Sequence, residues 1–334
     1  MPTEAWLGSA LVGAFILYAL FGGADFGGGL WDLLASGPRK AEQRALIAQA
    51  LGPVWEVNHV WLILGIVILF SGFPRAFAAL SVALHVPLTL LLLGIVFRGT
   101  AFTFRTYDAR GDRVQRRWGL VFSGASVLAP ALLGMCVGAA VSGDIRVRGR
   151  EVVGGFFSAW LSPFALAVGL LALCLFAFLA AVYLTAETRE PALQEDFRRK
   201  ALISGGAVFL AALGVLGFAR TGASRVWAGL TGSSFAGALH AATAVAAVLA
   251  FALLLSRRFG WARAAAAAQV ALIVAGWAAS QYPYLVVPDL TLQGAAASSP
   301  TQRVLLIALG LGAALILPSL GLLLRVFQTA PRRT

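Results

Sequence analysis

The chain has 334 residues, of which 60% are hydrophobic and 12% are charged, whereas a soluble domain carries about 25% charged residues. Its mean hydropathy is +0.85, so composition excludes an ordinary soluble domain and indicates a polytopic membrane protein. The net charge is +12 at pH 7. In a membrane chain such a surplus reflects topology, so we predict no nucleic-acid partner. The two cysteines, Cys136 and Cys174, lie inside apolar runs and predict neither a disulfide nor a zinc site.

Apolar runs of about 20 residues predict helices that cross a hydrocarbon core about 30 Å thick. Nine such runs occur, and no linker or low-complexity tract separates them, so we predict a single polytopic membrane domain over residues 1–334. The eighth run ends at Gln281-Tyr282-Pro283-Tyr284, where proline and interfacial aromatic residues stop a helix. The nine predicted spans are 6–29, 52–72, 76–97, 119–141, 159–184, 201–219, 235–255, 263–280 and 304–327.

The basic residues are distributed unevenly between alternate loops. If the N-terminus lies outside, 19 of the 26 Lys and Arg residues fall on the cytoplasmic side. The positive-inside rule therefore predicts an N-terminus outside and, after nine crossings, a cytoplasmic C-terminus. On this orientation Asp25, Glu56, His59 and Arg98 share one depth, in the cytoplasmic third of the membrane. Their common depth predicts one polar cluster.

The second span carries ionisable residues in its first turns, although each costs on the order of 3 kcal/mol at bilayer depth. Glu56 and His59 are spaced i, i+3 and share a helix face, with Trp55 and Asn58 close by. They predict either a proton-conducting entry or a mutually satisfied polar pair that fixes helix packing, with Arg98 as a further partner. The spacing leaves both interpretations open. A metal site of this type needs a second Glu-x-x-His motif, which the sequence lacks.

Asp25 lies in a glycine-rich stretch of the first span, Gly22 to Gly29. No Lys-Ser/Thr follows the glycines, so a nucleotide-binding loop is not predicted. Gly23, Gly27 and neighbouring small residues instead predict a face for close helix approach. We assign packing to the glycines and function to Asp25.

The sequence contains no covalent haem motif, Walker loop or serine nucleophile elbow. His85 and His240 are isolated, which is more typical of core polar groups than of haem ligands. Because no complete catalytic constellation is present, we predict a subunit that works with a partner. The alternative is a stand-alone secondary transporter that uses Asp25 and Glu56 for ion coupling. A transporter of this kind predicts discontinuous helices in two matching halves, and the sequence shows no such pair.

Motifs spread over nearly the whole chain resemble those of one known family. They are Ala24-Asp25-Phe26-Gly27, Gly52-Pro53-Val54-Trp55-Glu56-Val57-Asn58-His59-Val60-Trp61-Leu62, Phe73-Pro74, Phe97-Arg98-Gly99 with Phe102 and Arg105, Tyr183-Leu184-Thr185, Gln281-Tyr282-Pro283-Tyr284 and Leu290-Thr291-Leu292. This combination is similar to subunit II of the cytochrome bd-type quinol oxidases. The second-span motif, with paired tryptophans around a carboxylate and an asparagine, is the specific part.

The resemblance implies an all-α membrane fold of nine helices, arranged as two four-helix bundles plus one peripheral helix. It implies pairing by pseudo-twofold symmetry with a haem-bearing subunit I in a bacterial inner membrane. In that family the haems, of types b and d, and the quinol-oxidising loop belong to subunit I, and the complex reduces oxygen to water with cytoplasmic protons. No catalytic group, cofactor or metal is therefore expected on this chain. A structural quinone or lipid and small single-helix subunits are compatible with the resemblance.

The resemblance also implies a role for the polar residues of the first three spans. It implies a proton route through Glu56 with Asp25 nearby, and the chain departs from the usual pattern at two positions. Glu56 replaces the usual Asp, and His59 replaces the usual Glu or Gln, so proton uptake in this divergent member is expected to differ. The expected proton-pathway residues are Glu56, Asp25, His59, Asn58 and Arg98, and the expected motif and packing residues are Trp55, Trp61 and Gly27.

Overall fold

The computed structural model describes residues 2–51, 55–107, 111–149, 151–154 and 157–329, with the side chains of 51, 55–57, 105–107, 111–116, 317, 320 and 323–329 left outside the description. Two short antiparallel hairpins join helices of the otherwise helical fold. The elements are α1 (Thr3–Leu33), α2 (Lys40–Leu51), α3 (Trp55–Gly72), α4 (Pro74–Ala83), α5 (His85–Tyr107), α6 (Gly111–Ser142), β1 (Arg146–Arg148), β2 (Glu151–Val153), α7 (Pro163–Glu187), α8 (Pro191–Gly222), α9 (Ser224–Gly232), α10 (Ala236–Leu255), α11 (Phe259–Gln281), β3 (Tyr284–Val286), β4 (Leu290–Thr291), α12 (Leu292–Ala295) and α13 (Ser299–Thr329).

Within the described residues, eight helices are long and apolar enough to cross a membrane, and a bent helix pair supplies a ninth if it counts as one span. The largely helical membrane fold is thereby confirmed. The bent pair is α3 with α4, whose axes differ by 116°. The candidate spans outside this pair are Thr3–Leu33, His85–Phe104, Arg117–Ser142, Pro163–Glu187, Pro191–Gly222, Ala236–Leu255, Phe259–Gln281 and Ser299–Ile316.

The predicted boundaries of the third span, 76–97, are wrong. The chain forms the short helix α4 first, and the crossing helix then begins at His85. Pro87 explains the break, because it has no N–H to donate to the carbonyl of Ala83 and its ring crowds that carbonyl. A continuous helix through Leu84 is therefore unfavourable.

Helix α1 lies at the centre of the fold, packed against α3, α6, α7 and α11. Its glycines allow the close approach: a Cβ on Gly27 would meet the carbonyl oxygen of Phe176 and the Cβ of Ala180 on α7. Helix α13 packs against α1 and α3, and only 6% of residues Ser299–Ile316 are buried, so it lies at the periphery.

The two ends of the helix assembly differ in character. At one end, which we call the hairpin end, the segment after α11 donates from Val287 N–H to the carbonyl of Ala140 and from Ala297 N–H to the carbonyl of Gly72. The C-terminal ends of α6 and α3 therefore lie there. The start of α1 does too, since Leu292 packs against Gly8. The opposite end, which we call the basic end, holds the C-terminus of α1, helix α2 and the starts of α6, α8 and α11.

Candidate functional site

A buried ion pair joins α1 to α5 in the half of the protein nearer the basic end. Arg98 Nη2 lies 2.6 Å from Asp25 Oδ1 and also donates to the backbone carbonyl of Asp25 at 3.2 Å. Both residues are 1% exposed. Removing one partner of such a pair leaves an uncompensated buried charge, which costs about 3–5 kcal/mol.

The Arg98 guanidinium is also fixed on its other sides. Its Nε donates to Ser126 Oγ on α6 at 3.0 Å. Its Cζ lies 4.9 Å from the ring centroid of Phe26 and 4.8 Å from that of Phe122. The aromatic rings favour a cation at this position. Arg98 thus connects three helices, α1, α5 and α6.

Three buried polar atoms around this ion pair make no hydrogen bond in the described part of the chain: Asp25 Oδ2, Tyr18 Oη and His59 Nδ1. The His59 ring lies 5.8 Å from the Phe26 ring and 6.1 Å from the Tyr18 ring, measured between centroids. Buried polar atoms are normally satisfied by protein or by ordered water. The group formed by Tyr18, Asp25, His59 and Arg98 is hereafter the central cluster.

Of the remaining predicted residues of α3, the structure describes the side chains of Asn58 and Trp61 but only the backbones of Trp55 and Glu56. Asn58 is buried, and Trp61 is buried with its ring stacked on Phe21 at 6.4 Å between centroids. The backbones of Trp55 and Glu56 form the first turn of α3, whereas their side chains lie outside the described part. The predicted contact between Glu56 and its neighbours therefore stays a prediction. Sequence reasoning missed Tyr18, for which the only signal was a polar group two turns before Asp25.

A second buried carboxylate, Asp32, lies near the C-terminus of α1 and was not singled out from the sequence. Its Oδ2 accepts a hydrogen bond from Ser123 Oγ on α6 at 3.0 Å. Arg44 on α2 donates from Nε and Nη2 to the Asp32 carbonyl, each at 3.1 Å, and its Nε lies 3.8 Å from Oδ1. The available signal was the spacing of seven from Asp25, which puts both carboxylates on one face of α1.

Further polar contacts hold α2 at the basic end. Asp196 on α8 accepts from Arg39 at 2.6 and 2.9 Å and from Gln43 at 2.9 Å. The hydrogen bond to Asp196 raises the pKa of Arg39 above its usual value. Lys200 donates to Gln43 Oε1 at 2.8 Å and lies 5.3 Å from the ring centroid of Trp31. These residues form the α2 clamp: Arg39, Gln43, Asp196 and Lys200.

The histidines of this chain are dispersed among the described helices, since the three belong to three different helices. His85 and His240 are exposed, and a ring nitrogen of each lies 2.9 and 2.8 Å from the backbone carbonyls of Val82 and Leu230, respectively. The prediction that these two histidines are core groups is therefore wrong. Within the described ranges no three His, Cys, Asp or Glu side chains form a group able to hold a metal ion.

Comparisons with known proteins give a consistent assignment. A family model described as cytochrome bd terminal oxidase subunit II matches residues 3–327. Cytochrome bd ubiquinol oxidase subunit 2 of Bacillus subtilis (strain 168) is 25% identical over 307 residues, which cover 88% of this chain and 86% of that protein. Cytochrome bd-I ubiquinol oxidase subunit 2 of Escherichia coli (strain K12) is 28% identical over 188 residues, or 55% of this chain and 48% of that protein. A chain in the structure of bd oxidase from Geobacillus thermodenitrificans matches with a TM-score of 0.84 at 25% identity, covering 99% of this chain and 100% of that one.

Proposed function

The chain belongs to the family of cytochrome bd terminal oxidase subunit II, and from this premise we propose that it is the non-haem subunit of an oxidase that couples quinol oxidation to the reduction of oxygen to water. The resemblance of the motifs is confirmed by the family model, and the chain is a multi-pass protein of the bacterial inner membrane. A stand-alone transporter is not favoured, because the family match covers nearly the whole chain and the described residues contain one bent helix pair rather than two.

The subunit supports a haem-bearing subunit I and delivers cytoplasmic protons to it. Haem b and haem d belong to that partner, where they supply the electron transfer and oxygen chemistry, and quinol is oxidised there as well. A structural quinone or lipid on this chain and small single-helix subunits complete the proposed assembly. Because the relatives named above are ubiquinol oxidase subunits, a quinol is the expected electron donor.

One observation carries the proton role: the central cluster contains a buried ion pair and three buried polar atoms without hydrogen bonds in the described residues, one of which is the second carboxylate oxygen of Asp25 itself. An unsatisfied polar group inside a membrane protein is costly and commonly marks an ion or proton path. Arg98 cannot give up its proton, so it acts by holding the Asp25 carboxylate in place. His59, whose imidazole can accept a proton on one ring nitrogen and release one from the other, is the relay in this cluster.

Glu56 is the proposed entry group of this route. It precedes His59 by three residues and lies in the first turn of α3, nearer the basic end. Glu56 thus precedes the imidazole along the helix as the chain enters from the basic end, and Asn58, between the two in sequence, is buried. The proton moves from water to Glu56, then to His59 and on toward the partner subunit.

The proposed orientation puts the basic end in the cytoplasm, the N-terminus outside and the C-terminus inside. The proposed bundles are α1, α3, α5 and α6 in one group and α7, α8, α10 and α11 in the other, with α13 peripheral. The contacts of α5 with α6 and of α10 with α11 lie within these groups, and α1 and α6 both pack against α7 across the boundary between them. A reporter fused after Thr334 tests the orientation: a fluorescent protein should fold there, and alkaline phosphatase should stay inactive.

The proton role is tested by oxygen consumption of the purified complex with quinol, comparing wild type with Glu56→Gln. Glu42→Gln is the matched control, because Glu42 is an exposed carboxylate on α2 at the same end of the protein. We expect Glu56→Gln to retain the haem spectrum and to lose turnover by at least about tenfold, in the range of a lost proton-transfer group. Unchanged turnover in Glu56→Gln would show that this residue only packs.

A further inference from the structure

The proton role described above leaves one buried carboxylate unused. Asp32 is 1% exposed and lies seven residues after Asp25, which is about 10.5 Å farther along α1 on the same face. Since α1 ends at Leu33, Asp32 lies next to the surface of the basic end. Arg44, in contact with it, has a side chain that is 36% exposed.

Two hydroxyl groups on α6 connect Asp32 to the central cluster. Ser123 Oγ donates to Asp32 Oδ2 at 3.0 Å, and Ser126 Oγ accepts from Arg98 Nε at 3.0 Å. Ser123 and Ser126 are one turn apart and share a face of α6. Both are buried, with at most 1% of their surface exposed. The two carboxylates of α1 are thus each linked, directly or through Arg98, to a hydroxyl on one face of α6.

The close approach of α1 and α6 between the two carboxylates depends on Gly29. A Cβ at this position would overlap Ser126 Oγ and Cβ, so the missing side chain makes room for the hydroxyl. Pro130 lies inside α6 and has no backbone N–H. The carbonyl of Ser126, four residues earlier, therefore lacks its usual helical donor and is a further polar group near this contact. Hydroxyls and a carbonyl without its helical donor are groups that hold ordered water.

The polar groups between Arg44 and Asp25 run from the protein surface to its interior. Its outer end is the partly exposed Arg44 beside Asp32, and its inner end is Asp25 Oδ2, a buried atom without a hydrogen bond in the described residues. Of its members the two arginines keep their protons. The carboxylates and the hydroxyls can exchange theirs.

We propose that Asp32, together with Ser123, is a proton-loading site that supplies the central cluster from the basic end along the α1–α6 contact. The inference rests on the proposed function and adds a route beside Glu56. Asp32 takes one proton from surface water. Each hydroxyl then accepts one proton as it donates another, through Ser123, ordered water and Ser126, whose O–H turns away from the Phe122 carbonyl to which it now donates at 2.7 Å. The proton that leaves Ser126 is received by Asp25 Oδ2, the carboxylate oxygen without a hydrogen bond in the described residues, and each hydroxyl is restored.

The structural alternative is that Asp32 only anchors α2. Two of the three contacts from Arg44 go to the Asp32 backbone carbonyl, and these remain in Asp32→Asn. The variant keeps side-chain size and an acceptor for Ser123, and it removes the exchangeable carboxyl proton. Asp196→Asn is the matched control, since it weakens the α2 clamp from α8 and leaves Asp32 untouched.

The experiment compares wild type, Asp32→Asn, Asp196→Asn and Glu56→Gln as purified two-subunit complexes. It measures haem content, quinol-driven oxygen consumption, and the ratio of the rates in H₂O and D₂O. For Asp32→Asn we expect wild-type haem content, turnover reduced by about tenfold and a larger H₂O/D₂O ratio, because a proton step has become limiting. Asp196→Asn is expected to match wild type in the isotope ratio.

The outcomes separate this inference from the proposed function. Wild-type turnover in Asp32→Asn overturns the loading site. So does an equal loss of turnover in Asp32→Asn and Asp196→Asn that is accompanied by haem loss and leaves the H₂O/D₂O ratio unchanged. If only Glu56→Gln is slow, the proposed function stands without the loading site. If only Asp32→Asn is slow with the larger isotope ratio, the loading site stands and Glu56 is not on the route. If both are fast, proton delivery by this subunit is rejected, and the loading site with it.

Discussion

Arg98 and Asp25, 73 residues apart in the chain, form an ion pair of 2.6 Å between α1 and α5, with both side chains almost completely buried. Removing one partner of such a pair destabilises the fold more than removing both, because only the single change leaves an isolated charge in the interior.

Arg98→Gln should therefore destabilise the protein by about 3–5 kcal/mol, and the complex should be recovered in low yield. The double variant Asp25→Asn, Arg98→Gln should recover part of that loss, because neither residue is then charged. The measurements are the thermal midpoint and haem content of the purified complex. A double variant less stable than Arg98→Gln would contradict a charge-pairing role.

Gly27→Ala should disrupt the contact between α1 and α7, where the added methyl meets the Phe176 carbonyl. Overpacking of this kind costs about 1–3 kcal/mol. Gly13→Ala on the same helix is the matched control, since nothing lies within 4 Å of the added Cβ, and it should gain up to about 1 kcal/mol in helix propensity. Thermal unfolding of the two complexes gives the comparison, and equal midpoints would argue against close packing at Gly27.

His59→Phe should keep the ring contacts with Tyr18 and Phe26 while removing the exchangeable proton. We expect normal haem content and turnover reduced by about tenfold, as for the loss of a proton-transfer group. His59→Gln restores a polar group but cannot carry an additional proton, so it should be similarly slow. The turnover of both variants is measured between pH 5 and pH 8. Wild-type activity in His59→Phe would exclude a relay at this position.

Arg257 has a left-handed backbone, with φ of 58°, at the end of α10. Arg257→Gly should relieve about 1 kcal/mol of backbone strain while losing the exposed 3.4 Å contact with Glu195, which is worth about 0–1 kcal/mol. Arg257→Ala loses the same contact and keeps the strain. Chemical denaturation should therefore rank the glycine variant about 1 kcal/mol above the alanine variant, and the reverse order would contradict the strain argument.

Local signals in the sequence account for most of the helices. The lengths of the apolar runs predicted the ends of all the spans except the third to within about one to three turns. The third run is apolar on both sides of Pro87, so hydropathy alone did not show that the helix breaks there. The two hairpins were missed, because β1 to β4 have only two or three residues each and are held partly by contacts with distant segments. Asp289, for example, accepts from the Val147 N–H at 2.7 Å.

The candidate site was predictable only in part. The rarity of charge in membrane helices singled out Asp25, His59 and Arg98, and the alternation of loops predicted that they share a depth. In the sequence Tyr18 looks like any core aromatic residue of the first span, and Asp32 looks like a polar residue at a helix end. Their importance appears only when α3 and α6 lie beside α1.

The sequence by itself determined the membrane class, the approximate spans, the family motifs and the concentration of basic residues in alternate loops. These follow from the cost of leaving backbone or charge unsatisfied in lipid, which acts on each segment separately. The tertiary structure alone decided which polar groups meet: Asp25 with Arg98, and Asp32 with Ser123. The physical reason is that a membrane helix is apolar on the faces toward lipid and on those toward its neighbours, so periodicity does not mark the buried face, and small residues and single hydrogen bonds select the packing.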